Sequence, residues 1–232
     1  MKKTRILPAL LSLAALSASP LAAQSGSVDQ GTFRVYVEGN EVGTEQFTIT
    51  QAGSGGAAVT LASGTVDLRL PSGSLRLQPR LRAQGVAADP VQYQVDVSGD
   101  SPQRIIGSIA SGRVSARIVT ATGEQLREYV ASTGAVVLDD AVAHHFWFLA
   151  QRMHSGRVPV IVPRESRQVM ATVTDRGEES VQVAGQNVRL FHLVVQPQGG
   201  AQADVWVDAL NRVLRVDIPA RQYRAVRTEI PR

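Results

Sequence analysis

His144 and His145 stand side by side, a few residues after the carboxylates Asp139 and Asp140. Asp140 and His144 have the i,i+4 spacing that places two metal ligands on one helix face. Two ligands do not make a site, and His154 falls on the far side of such a helix from His145. The expectation is therefore no metal and no cofactor, with both histidines hydrogen-bonded inside a buried helix; a proton switch is the sharper alternative. Glu178-Glu179 is a carboxylate pair in sequence, but it follows Arg176-Gly177 and reads as a solvated turn rather than a glycosidase dyad. His192 lies in a strand without an evident nucleophile, and the chain holds no Gly-x-Ser-x-Gly elbow. No catalytic residue is assigned, and an enzyme would need carboxylates that meet only in the fold.

Two further patterns invite chemistry. Gly53-Ser54-Gly55-Gly56-Ala57-Ala58 matches the G-x-G-x-x-A dinucleotide fingerprint formally. That fingerprint works by aiming a helix N-terminus at the pyrophosphate; here Val59-Thr60-Leu61 follows, so a hairpin connection is expected. Arg212, Arg215, Arg221, Arg224 and Arg227 make the C-terminal hairpin cationic. They read first as a charged, aggregation-resistant edge, and second as a contact surface for phosphate groups or an acidic partner.

Composition removes whole classes of activity. The chain has 232 residues and no cysteine, which excludes thiol nucleophiles, iron–sulfur clusters, cysteine zinc sites and lipid attachment through a cysteine. Its two lysines, Lys2 and Lys3, precede an apolar run from Ile6 to Ala18 and a Leu21-Ala22-Ala23 segment that ends in small residues. Residues 1–23 thus read as a secretory signal peptide, cleaved before Gln24. Cleavage also removes Arg5, leaving 21 cations against 20 carboxylates. So balanced a charge does not predict nucleic-acid binding. Without lysine, Schiff-base chemistry and the phosphate-loop lysine are absent from the mature chain. No later run of 18 apolar residues predicts a membrane helix, and a periplasmic location is expected.

The elements that would position any site are mostly strands. Phe33, Val35 and Val37 alternate with polar neighbours, as do Val66, Leu68 and Leu70, then Leu75, Leu77 and Leu81. The same period recurs to the C-terminus, broken by turns such as Gly39-Asn40 and Pro71-Ser72-Gly73. Alternation of this kind buries one face and wets the other, which favours antiparallel meanders. The expected fold is mainly β: one domain over residues 24–232, a curved antiparallel sheet or incomplete barrel of about a dozen strands. The segments Val37–Val42 and Val183–Val188 echo each other faintly, as two hairpins do. One helix interrupts the strands at about 139–153, with Asp139 or Asp140 as its cap. Apolar residues surround it almost entirely, so it is expected to sit buried across the concave face of the sheet.

That helix, the Val158–Pro163 stretch after it and the closing Asp204–Pro219 hairpin together resemble uncharacterised periplasmic families of unknown function. Their sheets look like those of lipoprotein-localisation carriers. The resemblance implies an incomplete barrel plugged by helix, with an apolar cavity that shelters acyl chains. It implies that Phe146, Trp147, Phe148 and Leu149 line the cavity. The leading expectation is an exported, non-enzymatic protein binding an apolar ligand, a lipid or lipid-modified chain, between sheet and helix. The alternatives are a structural or assembly module of the envelope with a protein partner, and a hydrolase assembled in the fold.

Overall fold

The computed structural model describes residues 26–231; the leader read over residues 1–23 lies outside them. Eight strands come first: β1 (Gly26–Val37), β2 (Asn40–Ala52), β3 (Val59–Leu70), β4 (Gly73–Gln84), β5 (Asp89–Gly99), β6 (Gln103–Ala110), β7 (Arg113–Thr120) and β8 (Gly123–Val130). Next come β9 (Val136–Val137), a 3₁₀ turn (Ala143–His145) that runs into α1 (Phe146–Arg152), and β10 (Gly156–Val162). The last five are β11 (Arg167–Val183), β12 (Gln186–Pro197), β13 (Ala203–Val207), β14 (Val213–Ile218) and β15 (Tyr223–Arg227).

All fifteen strands belong to one sheet, ordered from β8 down to β1, then β15 down to β9. The first and last long strands therefore meet in the middle, where β1 pairs antiparallel with β15. Pairing is antiparallel throughout except for the short parallel contact of β9 with β10. The outermost strands, β8 and β9, are consecutive in the chain. A flat sheet would hold them ~67 Å apart at ~4.8 Å per strand spacing. The connection from Val130 to Val136 reaches only ~20 Å. The sheet must curl until its edges approach, and they do: the Ser132 N–H donates to Gln168 Oε1 at 2.6 Å, and Gln168 Nε2 donates back to Ser132 Oγ at 2.9 Å. The Ser132 backbone and side chain and the Gln168 side chain, rather than a strand ladder, join the end of β8 to β11 here.

The inward faces of the strands and the helical segment form a single core, including Phe33, Ile49, Leu68, Leu77, Leu193 and Val205. A second, small core lies on the outer face. The ladder of β11 with β12 shifts between Asp175 and Glu178, where Gly177 adopts a left-handed φ of 83°. A bulge of this sort bends the strand. Beyond it, Val181, Val183 and Leu190 pack on Trp206 and Leu214.

The mainly β antiparallel fold is as expected, and its fifteen strands include β9 and β10, which carry no readable alternation. Pro159 in β10 argues against a strand, and β9 has two residues. Glu178-Glu179 lies within β11 after a bulge rather than in a turn. The arginine-rich hairpin β14–β15 is no edge; it is central. Each of its five arginines has a carboxylate partner: Arg212 takes Asp208, Arg215 and Arg224 share Asp217, Arg221 takes Asp140, and Arg227 takes Asp29.

Arg227 points inward. It donates to Asp29 Oδ2 at 2.6 Å, to the Val213 carbonyl at 2.8 Å and to the Gln30 carbonyl at 2.7 Å. Its guanidinium lies over the rings of Phe47 and Phe33, at 4.5 and 5.0 Å from their centroids. Removing one member of a buried pair strands the other charge, so Arg227→Ala should cost about 3–5 kcal/mol. Arg224→Ala, three residues earlier on the wet face, should cost at most about 1 kcal/mol. Urea unfolding of both variants measures the contrast; equal losses would refute the assignment.

Candidate functional site

The helical segment spans Ala143–Arg152, ten residues rather than the fifteen expected over 139–153. Ala141 adopts a left-handed φ of 57°, which ends any helix that would begin at Asp139. Neither Asp139 nor Asp140 caps it. Glu45 does so from β2: it accepts the Ala143 N–H at 2.7 Å and the His144 N–H at 2.9 Å. The first N–H groups of a helix lack internal partners, and a carboxylate satisfies them while favouring the positive end of the dipole. Glu45 also bonds His144 Nδ1 at 2.6 Å. The His144 ring stacks on Phe47, and it fits because residue 64 is glycine. A Cβ there would come within 2.9 Å of His144 Cε1.

A second carboxylate fixes the approach to the helix. Asp139, fully buried, accepts from Tyr93 Oη at 2.5 Å, from Arg164 Nε at 2.8 Å and from the Asp140 N–H at 2.9 Å. Burial raises the Asp139 carboxyl above its ordinary value despite Arg164 beside it. Burial together with Asp139 pushes the Tyr93 hydroxyl well up. The Asp139 N–H donates to His145 Nδ1 at 3.2 Å, so His145 carries its proton on Nε2. Asp140 turns outward to Arg221 and not to His144, so the pairing considered for a metal does not form.

Glu45 and His144 have the contacts of the orienting half of a catalytic dyad. Yet Nε2 of His144 and Nε2 of His145 are both buried without a hydrogen-bond partner. No hydroxyl reaches either one, and neither imidazole touches solvent. On the outer face His192 bonds Asp204 at 2.9 Å and stacks on Trp206 at 4.6 Å between centroids. Glu178 pairs with Arg189, while Glu179 accepts from the Trp206 indole. The two adjacent carboxylates therefore serve different neighbours.

The four aromatic and aliphatic residues expected to line a cavity are separated by the structure. Phe146 borders a cleft of about 100 Å³, walled by Leu138, Val160, Val195, Val216 and Tyr223. The buried Tyr223 hydroxyl there has no hydrogen-bond partner. Trp147 borders a wider depression of about 530 Å³ at the opposite end of the strands. Around it the apolar side chains of Val28, Val86 and Leu210 are exposed. Phe148 and Leu149 line neither space and are packed in the core.

In fold the molecule is similar to the crystal structure of a β-barrel-like protein of the domain of unknown function DUF1849 from Brucella abortus. The TM-score is 0.51 at 9% sequence identity, over 85% of this chain and 94% of that one. A likeness at this identity is one of fold. No family model and no curated protein matches the sequence.

Sequence reasoning did not find Glu45, although a signal existed: it stands in phase with Phe47 and Ile49, the inward positions of β2. Two outcomes follow from the plug's geometry. Leu149→Ala should cost about 2–5 kcal/mol in urea unfolding, as a fully buried leucine does. Burial, with His144 and Arg164 close by, holds the His145 imidazole well below 6.5. As pH falls through about 6.5 the unfolded chain takes up a proton at His145 and the folded chain does not, so stability declines below that pH. The raised Asp139 acts with opposite sign in a window that opens at 3.8. The His145→Gln variant isolates the histidine: its urea midpoint, relative to that of the unsubstituted protein, should rise between pH 7 and pH 5. A constant difference would contradict a neutral buried His145.

Proposed function

We propose that the protein is an exported, non-enzymatic module of the cell envelope that acts through protein contacts on its outer surface. The observation that carries this reading is the filled interior. The helical segment occupies the space inside the curled sheet, with Phe148 and Leu149 at 2% and 0% exposure. Of the two spaces beside it, the cleft at Phe146, about 100 Å³, falls below the ~300–1,000 Å³ of typical small-molecule sites, and the depression of about 530 Å³ at Trp147 lies at the surface, walled in part by the polar Gln51, Ser54 and Gln151. Buried carboxylates pin the segment at both Ala143–His144 and Asp139, so opening it would break charged hydrogen bonds worth roughly 1.5–3 kcal/mol each. The basic and apolar layout of residues 1–23 supports export, with the periplasm as the place of action.

A second reading retains the apolar ligand and the carrier-like comparison. The cleft at Phe146 favours it, because its walls are apolar and the unpaired Tyr223 hydroxyl offers one polar contact. Acyl-chain binding would then require the Asp140–Arg221 ion pair at the rim to part and the helix to shift.

Incubation of the purified protein with a total lipid extract, followed by native mass spectrometry, separates the two. The envelope-module reading expects the bare mass. A stoichiometric lipid adduct that disappears when Val160→Phe fills the cleft would overturn it in favour of the carrier.

A further inference from the structure

The bulge in β11 bends the β11–β12 hairpin over the outer face and leaves a trough of about 930 Å³ between that hairpin and β1, β15 and β14. Two turns stand at its sides. They are the segments whose sequences echo one another: Glu38-Gly39, with φ of 53° and 80°, and Ala184-Gly185, with φ of 50° and 77°. Both residues of each turn are left-handed, as type I′ hairpins require. The trough is thus bounded by two turns of the same type facing across it.

Its floor is cationic. Arg34 on β1 and Arg215 on β14 both lie opposite Val226 of β15, one on each side. Arg224 stands two residues from Val226 on the same face, about 7 Å along the strand. Three arginines therefore flank one valine on the same face of adjacent strands. Asp217 is shared between Arg215 and Arg224, at 2.5 and 3.2 Å. Arg34 is exposed, and its side chain has no ion-pair or hydrogen-bond partner among the described residues. Glu38 is the other carboxylate of the trough, at its rim. Arginine presents a planar fork that suits carboxylates, and unshared N–H groups remain here for incoming ones.

We infer that this trough binds an extended acidic segment of a protein partner, its carboxylates received by Arg34, Arg215 and Arg224. The inference rests on the envelope-module reading and names the surface that module would use. Concavity selects the kind of partner: a peptide strand enters a trough between two turns, whereas a bilayer meets convex or flat surfaces. Gln182, Tyr36 and Thr228 supply neutral polar walls for the strand's own backbone groups.

The test is fluorescence anisotropy with a labelled peptide of alternating glutamate and serine, at about 50 and about 300 mM salt. Binding to the unsubstituted protein, stronger at low salt, should weaken about tenfold or more in Arg34→Gln/Arg224→Gln. The control Arg113→Gln/Arg117→Gln removes the same charge from β7 and should bind as before. No binding by the unsubstituted protein, or equal weakening in both variants, overturns the inference. Cosedimentation with phosphatidylglycerol vesicles in place of peptide binding would overturn it in favour of a membrane surface. A partner captured from the envelope equally by protein with and without Arg34→Gln/Arg224→Gln would defeat the trough while leaving the module reading intact. A lipid-loaded protein would defeat that reading without touching the peptide result.

Discussion

Glu45 is a charged residue at the centre of an apolar interior, and the arrangement around it depends on that one carboxylate. A sheet whose first and last edges are joined by a few residues has to curl, and a curled sheet encloses volume. Unfilled volume forfeits dispersion contacts on every wall, so a segment of the chain must enter it. A helical segment entering an apolar space brings N–H groups at its start that cannot remain unpaired. Glu45 answers that requirement with both oxygens. Desolvating a carboxylate is costly, and three hydrogen bonds offset it. The curl, the plug and the buried charge are successive consequences of one geometry.

The remaining interior charges follow the same rule. Asp139 sits where the chain turns from β9 towards the helix, and it is met by Tyr93 from β5 and Arg164 from the turn after β10. Those residues come from both halves of the sheet, so the contact joins the halves across the interior as Ser132 and Gln168 join them at the seam. Arg227 and Asp29 do likewise where β15 meets β1. Polar interactions inside this protein thus lie at junctions, where alignment matters, while the faces between junctions are apolar. Burial raises the Asp29 and Asp139 carboxyls even with arginines in contact. Their value is therefore better sought in fixing one arrangement than in net stability.

Period-two alternation made the meander readable at Phe33–Val37 and Val66–Leu70, since each strand shows one wet face. The same logic failed at Gly156–Val162, where Pro159 interrupts the pattern and the adjacent Val160 and Ile161 are both buried. The aromatic run at Phe146–Leu149 announced a buried helix correctly but not its start. Aspartates before a helix resemble caps, and Ala141 in a left-handed conformation leaves no trace in composition. Partnerships across about a hundred residues, such as Glu45 with His144, depend on a curl that local pattern does not specify. A carboxylate in register with inward apolar residues was nevertheless a visible exception on β2. The arginine-rich hairpin misled for the opposite reason: its charges are conspicuous in sequence, but each finds a carboxylate once the sheet order is known.

A filled interior moves any selective contact to the surface, and the surface of a regular sheet is nearly featureless. The trough on the outer face owes its depth to an irregularity. Here it comes from Arg176-Gly177, the unpaired residues of β11, which bend the long hairpin so that Val181, Val183 and Leu190 find Trp206 and Leu214. Trp206 holds the hairpin by packing, by its bond to Glu179, and by stacking between His192 and the Arg215 guanidinium, which lies 4.8 Å from its ring centroid. Arg215 is thereby held on two sides, by an aromatic ring and by Asp217, which limits the rotamer entropy that binding would otherwise cost. The second core shapes and stiffens the outer trough.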